Sequence, residues 1–168
     1  MYETNRLILR KAVFSDWEQM YRNIWCHEET ARYMLWAVTE SEAAAKERME
    51  RTIAFQQSHH AWLVVEKESG KAIGFAGLRE ESGVCEDTGI AVGPRYVGKG
   101  YGTEILNELV RIAKEGLNAH GFIATCRSEN EASRKMILGC GFRFSHAEPR
   151  VDKRNGEKYT LEFYRKEL

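Results

Sequence analysis

Gly98, Gly100 and Gly102 fall at every second position, with Arg95 and Lys99 among them, between a short apolar run and a helical pattern. Ile90, Ala91 and Val92 suit a buried strand, and Pro94, which has no amide proton, should end it. Beyond the glycines, Ile105, Leu106, Leu109, Ile112 and Ala113 recur at helical spacing. A glycine turn that opens a helix leaves unpaired N–H groups at the positive end of a helix dipole. The missing side chains let a phosphate come close. The chemistry indicated is the binding of a diphosphate. Two familiar loops fit badly. Gly93-x-x-x-x-Gly98-Lys99 nearly spells a P-loop, but Gly100 stands where a hydroxyl should hold Mg²⁺. The dinucleotide fingerprint needs a third glycine at position 103, which is Thr103. What is present is Arg95-x-x-Gly98-x-Gly100 directly after a strand. The plainer alternative is a glycine turn that only lets a helix pack on a sheet.

The elements around this loop can be read from pattern. Leu7–Lys11 reads as a first strand. Ser15-Asp-Trp-Glu18 has the form of a capping box, opening a helix with Trp17, Met20, Tyr21 and Ile24 on one face. Residues 26–38 are irregular. Thr39-Glu-Ser-Glu42 predicts a second cap before a long, charged surface helix carrying Ala45, Met49 and Ile53 and ended by His59-His60. Ala61–Lys67 and Ala72–Leu78 form a hairpin, 80–84 a loop, and Asp87–Val92 the strand that feeds the glycines. Phe122–Cys126 is a further strand, Glu129–Leu138 a short helix closed by Gly139 and Gly141, and Phe142–Ala147 and Tyr159–Arg165 the last two strands. The order predicts an α+β fold with one mixed sheet. Its one parallel crossover surrounds the glycine loop, where a ligand at the switch point is expected.

Length and composition narrow the class. One domain over residues 1–168 is expected, long enough to bury a core. The net charge of zero gives no nucleic-acid footprint and no polybasic membrane patch. Nothing reads as a membrane span or a signal peptide. Cys26, Cys85, Cys126 and Cys140 are scattered without a C-x-x-C pair, which suits free thiols in a reducing cytoplasm. No metal is expected, since His59 and His60 are adjacent with no ligand at a useful spacing.

Three stretches together resemble one family. They are Thr4-Asn-Arg-Leu-Ile-Leu-Arg10 with Asp16, Asp87-x-Gly-x-x-Val-x-Pro94 with the glycine loop and Thr103-Glu104, and Asn130-Glu-Ala-Ser133 followed by Gly141-Phe142. In this order they look like the GNAT superfamily of N-acetyltransferases, in the branch that includes ribosomal-protein N-terminal acetyltransferases. The resemblance implies a mostly antiparallel mixed sheet of about six to seven strands with about four helices. It implies acetyl-CoA as cosubstrate and an amine acceptor as partner, and it allows a homodimer. Pantetheine should pair with a free strand edge at Ile90, Ala91 and Val92. The pyrophosphate should sit on the amides of Gly98, Lys99, Gly100, Tyr101, Gly102 and Thr103, with charge from Arg95 and Lys99. Asn130 should contact the pantetheine arm, or cap the short helix, and Ser133 should lie near the thiol.

An amine with a pKa of about 10 must lose a proton before it attacks a thioester, whereas a thiol of pKa about 8.5 leaves readily. The general base is therefore the group to find. Asp87 matches a position where this branch carries Glu; Glu86 is the neighbouring candidate, facing the other way on a strand. The N–H of Val92 would meet the oxyanion. One departure stands out: the tyrosine acid common in the family is replaced by Ile137. Ser133 would substitute, or no acid is needed. A catalytically silent acyl-CoA-binding module is the alternative. The acceptor pocket should draw on residues 25–38, including Trp25, Tyr33, Trp36, Glu28 and Glu29, and on a loop from Pro149 to Gly156.

Overall fold

The computed structural model describes every residue from Met1 to Leu168. Its centre is one eight-stranded sheet in the order β1-β2-β3-β4-β5-β6-β8-β7. The strands are β1 (Tyr2–Glu3), β2 (Leu7–Arg10), β3 (His60–Glu66), β4 (Ala72–Glu81), β5 (Val84–Val92), β6 (Gly121–Arg127), β7 (Arg143–Val151) and β8 (Lys158–Glu167). All neighbours are antiparallel except β5 and β6. The helices are α1 (Trp17–Met20), which runs on through a π turn at Tyr21–Trp25, α2 (Glu28–Ala31), α3 (Glu42–Ser58), α4 (Tyr101–Arg111) and α5 (Glu131–Gly139). No helix is long and apolar enough to cross a membrane.

The sheet is covered on both faces. On one, Ile105, Leu106, Leu109 and Ile112 of α4 and its last turn, together with Ile137 of α5, pack on Leu7, Val64, Ile73 and Phe122. On the other, Ala45 and Met49 of α3 meet Met20, Ile24 and Trp25 over Leu63 and Ala72. Each such apolar side chain contributes about 1.5–3 kcal/mol when fully buried. The larger cluster therefore fixes α4, and with it the glycine loop at its start.

Five local expectations are corrected. The sheet has eight strands because a two-residue strand, too short to show any periodicity, pairs Tyr2 with Leu9. The predicted loop at 80–84 is a tight hairpin in which Ser82 and Gly83 both have positive φ (52° and 77°), the geometry that matches strand twist. Ser15 caps nothing. Asp16 accepts the Val13 N–H at 2.9 Å and pairs with Arg10 at 2.7 Å. The cap of α3 is Ser41, which accepts from Ala44 N–H, while Thr39 is buried. Pro149 is not in a loop but on β7, an edge strand where a missing amide costs no ladder bond.

Candidate active site

The glycine loop begins where β5 ends. Gly93 packs so tightly that a Cβ there would lie 2.0 Å from the Asn23 carbonyl oxygen. A 3-10 turn, Pro94–Tyr96, leads to Gly98 and Gly100, both left-handed at φ 80° and 79°. No side chain caps α4, whose N-cap is Gly100, and the first helical bond runs from Glu104 N–H to the Gly100 carbonyl. The amides of Tyr101, Gly102 and Thr103 thus have no partner within the helix, the arrangement that favours an anion. Arg95 and Lys99 are exposed beside them. Tyr101 contributes only its backbone, because its ring is buried and its hydroxyl donates to Glu66 at 2.5 Å. A Cβ on Gly102 would meet Met136 Sδ at 2.6 Å, so this glycine serves the packing of α4 on α5.

The first and second sequence motifs meet here. Arg6 donates from its backbone N–H and its Nε to Glu104 at 2.8 and 2.7 Å, and from its guanidinium to the Lys99 carbonyl at 2.9 Å. Thr4 donates to the same Glu104 carboxylate, and Arg6 lies over the Tyr101 ring at 4.5 Å. The N-terminal segment is a strap that holds the loop against the helix start.

Beside the loop the sheet opens. β5 pairs with β4 along its whole length, out to Val92 opposite Gly74, but with β6 only from Val84 to Glu86. A register shift after Gly77 makes Thr88 an extra residue on β5, which bends the strand away. Beyond it, Gly93 N–H bonds the Ile73 carbonyl, which fixes the alternation. Ala91 then lies opposite Phe75 in a hydrogen-bonded pair, and its backbone is committed to β4. The backbones of Ile90 and Val92 face the open edge. The expectation of three free residues there is thus corrected to two.

Asp87 stands where the strands part. Its Oδ2 accepts the Thr125 N–H of β6 at 2.8 Å, in place of the ladder bond lost at the split. Burial pushes its carboxyl up to about 7, with Glu86 adding to the rise and the amides of Thr125 and Gly89 opposing it. Glu86 instead pairs with Arg79 at 3.0 Å. Asn130 caps α5 by accepting the Ser133 N–H at 3.1 Å through Oδ1, which leaves Nδ2 free to donate. Ile137 is buried in the core.

The residues expected around an acceptor separate into two recesses. A cavity of about 730 Å³ lies between α3 and strands β3 to β5, and Trp25 and Trp36 are among its walls. Glu28 and Glu29 line a different recess, with Arg154. Tyr33 lines neither and lies under the Arg32 guanidinium. The segment after α2 and the β7–β8 loop are tied together by Arg154, which donates to the carbonyls of Ala31 and Trp36 at 3.2 and 2.7 Å. Asp152, between Arg127 and Arg154, holds that arginine. Sequence reasoning missed Arg48, which lines the cavity between α3 and the sheet. It is one of several bases on a charged helix, and only packing distinguishes it.

Residues 6–143 match the acetyltransferase (GNAT) domain family, and the chain belongs to it. Along 96% of its length the chain is 25% identical to an uncharacterized N-acetyltransferase, YoaA, of Bacillus subtilis, covering 93% of that protein. A GNAT-family acetyltransferase from Bacillus anthracis superposes with a TM-score of 0.84 at 20% identity, covering 98% of this chain and 96% of that one. Spermidine N-acetyltransferase from Vibrio cholerae, solved with CoA and spermine, superposes at 0.78 with 18% identity and coverages of 98% and 96%. At these identities the structural likenesses establish the fold.

Proposed function

We propose that the protein moves the acetyl group of acetyl-CoA to a primary amine, with Asp87 as general base. The observation that carries this reading is the opening between β5 and β6, with a titratable carboxyl at its apex and unpartnered helix amides at one side. Pantetheine would add to the free edge at Ile90 and Val92 and accept a hydrogen bond from Asn130 Nδ2. The diphosphate would sit on the amides from Gly98 to Thr103, aided by Arg95 and Lys99.

The amine nitrogen attacks the thioester carbon and gives its proton to Asp87, directly or through a water. The Val92 N–H faces the developing oxyanion, and the C–S bond then breaks. A base poised near 7 is suited to this work at neutral pH. The leaving thiolate is stable enough to depart without the tyrosine that Ile137 replaces. Ser133, whose hydroxyl makes no bond within the protein, is the proton donor nearest in kind. Glu86, paired with Arg79, has no part in the reading. The four free cysteines suit a reducing compartment.

The test is thiol release from acetyl-CoA with a panel of amines and N-terminal peptides, beside Gly100→Trp. Turnover that the substitution abolishes is expected. Acetyl-CoA binding that Gly100→Trp leaves intact would overturn the loop assignment. Absence of turnover on every amine despite tight binding would overturn the transferase reading.

A further inference from the structure

The cavity between α3 and the sheet contains a cation with no counter-ion. Arg48, on α3, makes one side-chain hydrogen bond, to Thr39 Oγ1 at 2.9 Å, and no salt bridge. Its guanidinium lies over the rings of both Trp25 and Trp36, at 4.6 and 4.2 Å. Two indole faces hold a cation without neutralising it. Burial pushes Arg48 down to about 10, and the charge of Arg51 adds to the effect, so the group is still cationic at neutral pH. A guanidinium has five N–H donors, of which Thr39 takes one. The remaining donors lie along the edge of the guanidinium, where they match the paired oxygens of a carboxylate or phosphate.

The charge around it points the same way. Among the residues lining the cavity, Arg48 and Arg51 are basic and Glu40, which is exposed, is the only acid. The one ion pair of Arg51 is a loose surface contact with Glu47 at 3.9 Å. A second donor in the same wall, the buried indole N–H of Trp36, has no acceptor in the protein. The cavity also borders the proposed reaction centre, since Thr88 and Gly89, the residues that follow Asp87, line it. Its volume of about 730 Å³ suits a small organic molecule rather than a single ion.

From this arrangement we infer that the acceptor is a small amine that also carries an anionic group, a carboxylate or a phosphate monoester, bound at Arg48, with its amine directed to Thr88 and Gly89. The inference rests on the acetyltransferase reading. A polyamine, the ligand class seen with the Vibrio cholerae relative, would meet two arginines and one exposed carboxylate here.

The test uses matched primary amines. These are 4-(aminomethyl)benzoate against its amide, and tyramine O-phosphate against tyramine, with spermidine as the cationic comparison. In thiol release, at least one anionic member should exceed its neutral partner in kcat/KM by about tenfold or more, the usual scale of a charge-assisted hydrogen bond. Which pair shows it distinguishes carboxylate from phosphate. Arg48→Met keeps an apolar stem against the indoles and should bring the ratio to near one. Arg48→Lys should retain part of the preference. A merely structural Arg48 would lower stability and leave the ratio as it is. Equal rates within both pairs, or spermidine as the best acceptor, would overturn the inference and leave the transferase reading intact. If no amine turns over, calorimetric titration of the same pairs onto the CoA-saturated protein decides. Tighter binding of an anionic member, lost in Arg48→Met, upholds the anion site while the transferase reading falls; equal or absent binding overturns it.

Discussion

Replacing Asp87 with asparagine should remove activity and add stability together. Burial between β5 and β6 holds the carboxyl up to about 7, against about 3.9 for an aspartate in an unfolded chain. Between those values the native protein keeps a proton that the unfolded chain has lost. Native stability therefore falls as pH rises from about 4 to about 7, and stays reduced above that. Three pKa units correspond to an upper bound of about 4 kcal/mol. The side chain is only half-buried, and water reduces this to about 2 kcal/mol. Asparagine still offers an oxygen to the Thr125 amide and has no charge to desolvate. Asp87→Asn should therefore nearly match the parent's melting temperature near pH 4 and exceed it by several degrees at pH 8, at about 2–4 °C per kcal/mol for this length. In the same variant, kcat/KM should drop by about a hundredfold or more, and the rising limb of the pH–rate profile near pH 7 should vanish. Scanning calorimetry at both pH values, with thiol-release rates from pH 5.5 to 9, measures both effects. A variant that melts below the parent at pH 8 would refute the burial argument. One with full activity would remove Asp87 from the chemistry.

Arg6→Ala should raise KM for acetyl-CoA by roughly tenfold with kcat nearly unchanged, because it loosens the strap on Lys99 and Glu104 and not the reacting groups; steady-state kinetics at saturating amine checks this. Gly93→Ala should cost about 2–3 kcal/mol in a denaturant titration, since its Cβ would meet a backbone carbonyl, whereas Gly102→Ala should cost less because the Met136 sulfur can move aside. Asp152→Asn should lower the melting temperature at pH 7 and raise KM for the acceptor, because Arg154 loses the partner that orients it toward Ala31 and Trp36. Arg154 and Arg127 hold the Asp152 carboxyl well below the usual carboxylate range. Its contribution is thus present above about pH 4 and lost as pH falls further, so melting curves of parent and variant should converge in acid.

Much of this was legible in the order of residues. Gly98 and Gly100 stand where the backbone turns left-handed, and glycine is the residue that does so without strain. The spacing from Ile105 to Ala113 gave α4, and the sequence of strands and helices gave one parallel crossover in a mixed sheet. These features depend on local conformation and periodicity, which neighbouring residues carry. Short or irregular elements were not legible. The strand at Tyr2–Glu3 exists only because Leu9 is there to pair with, and Ser15 lost its capping role to Asp16 because Arg10 fixes that carboxylate nearby. The split after Glu86, the commitment of the Ala91 backbone to β4 and the elevated carboxyl of Asp87 all depend on where β6 lies, and β6 comes more than thirty residues later in the chain. Arg48 is the clearest case. In sequence it is one charge on a polar helix; only folding sets it against two indoles with no carboxylate in salt-bridge contact. Charge and hydrogen-bond partners are set by distances through space, and the sequence fixes only distances along the chain.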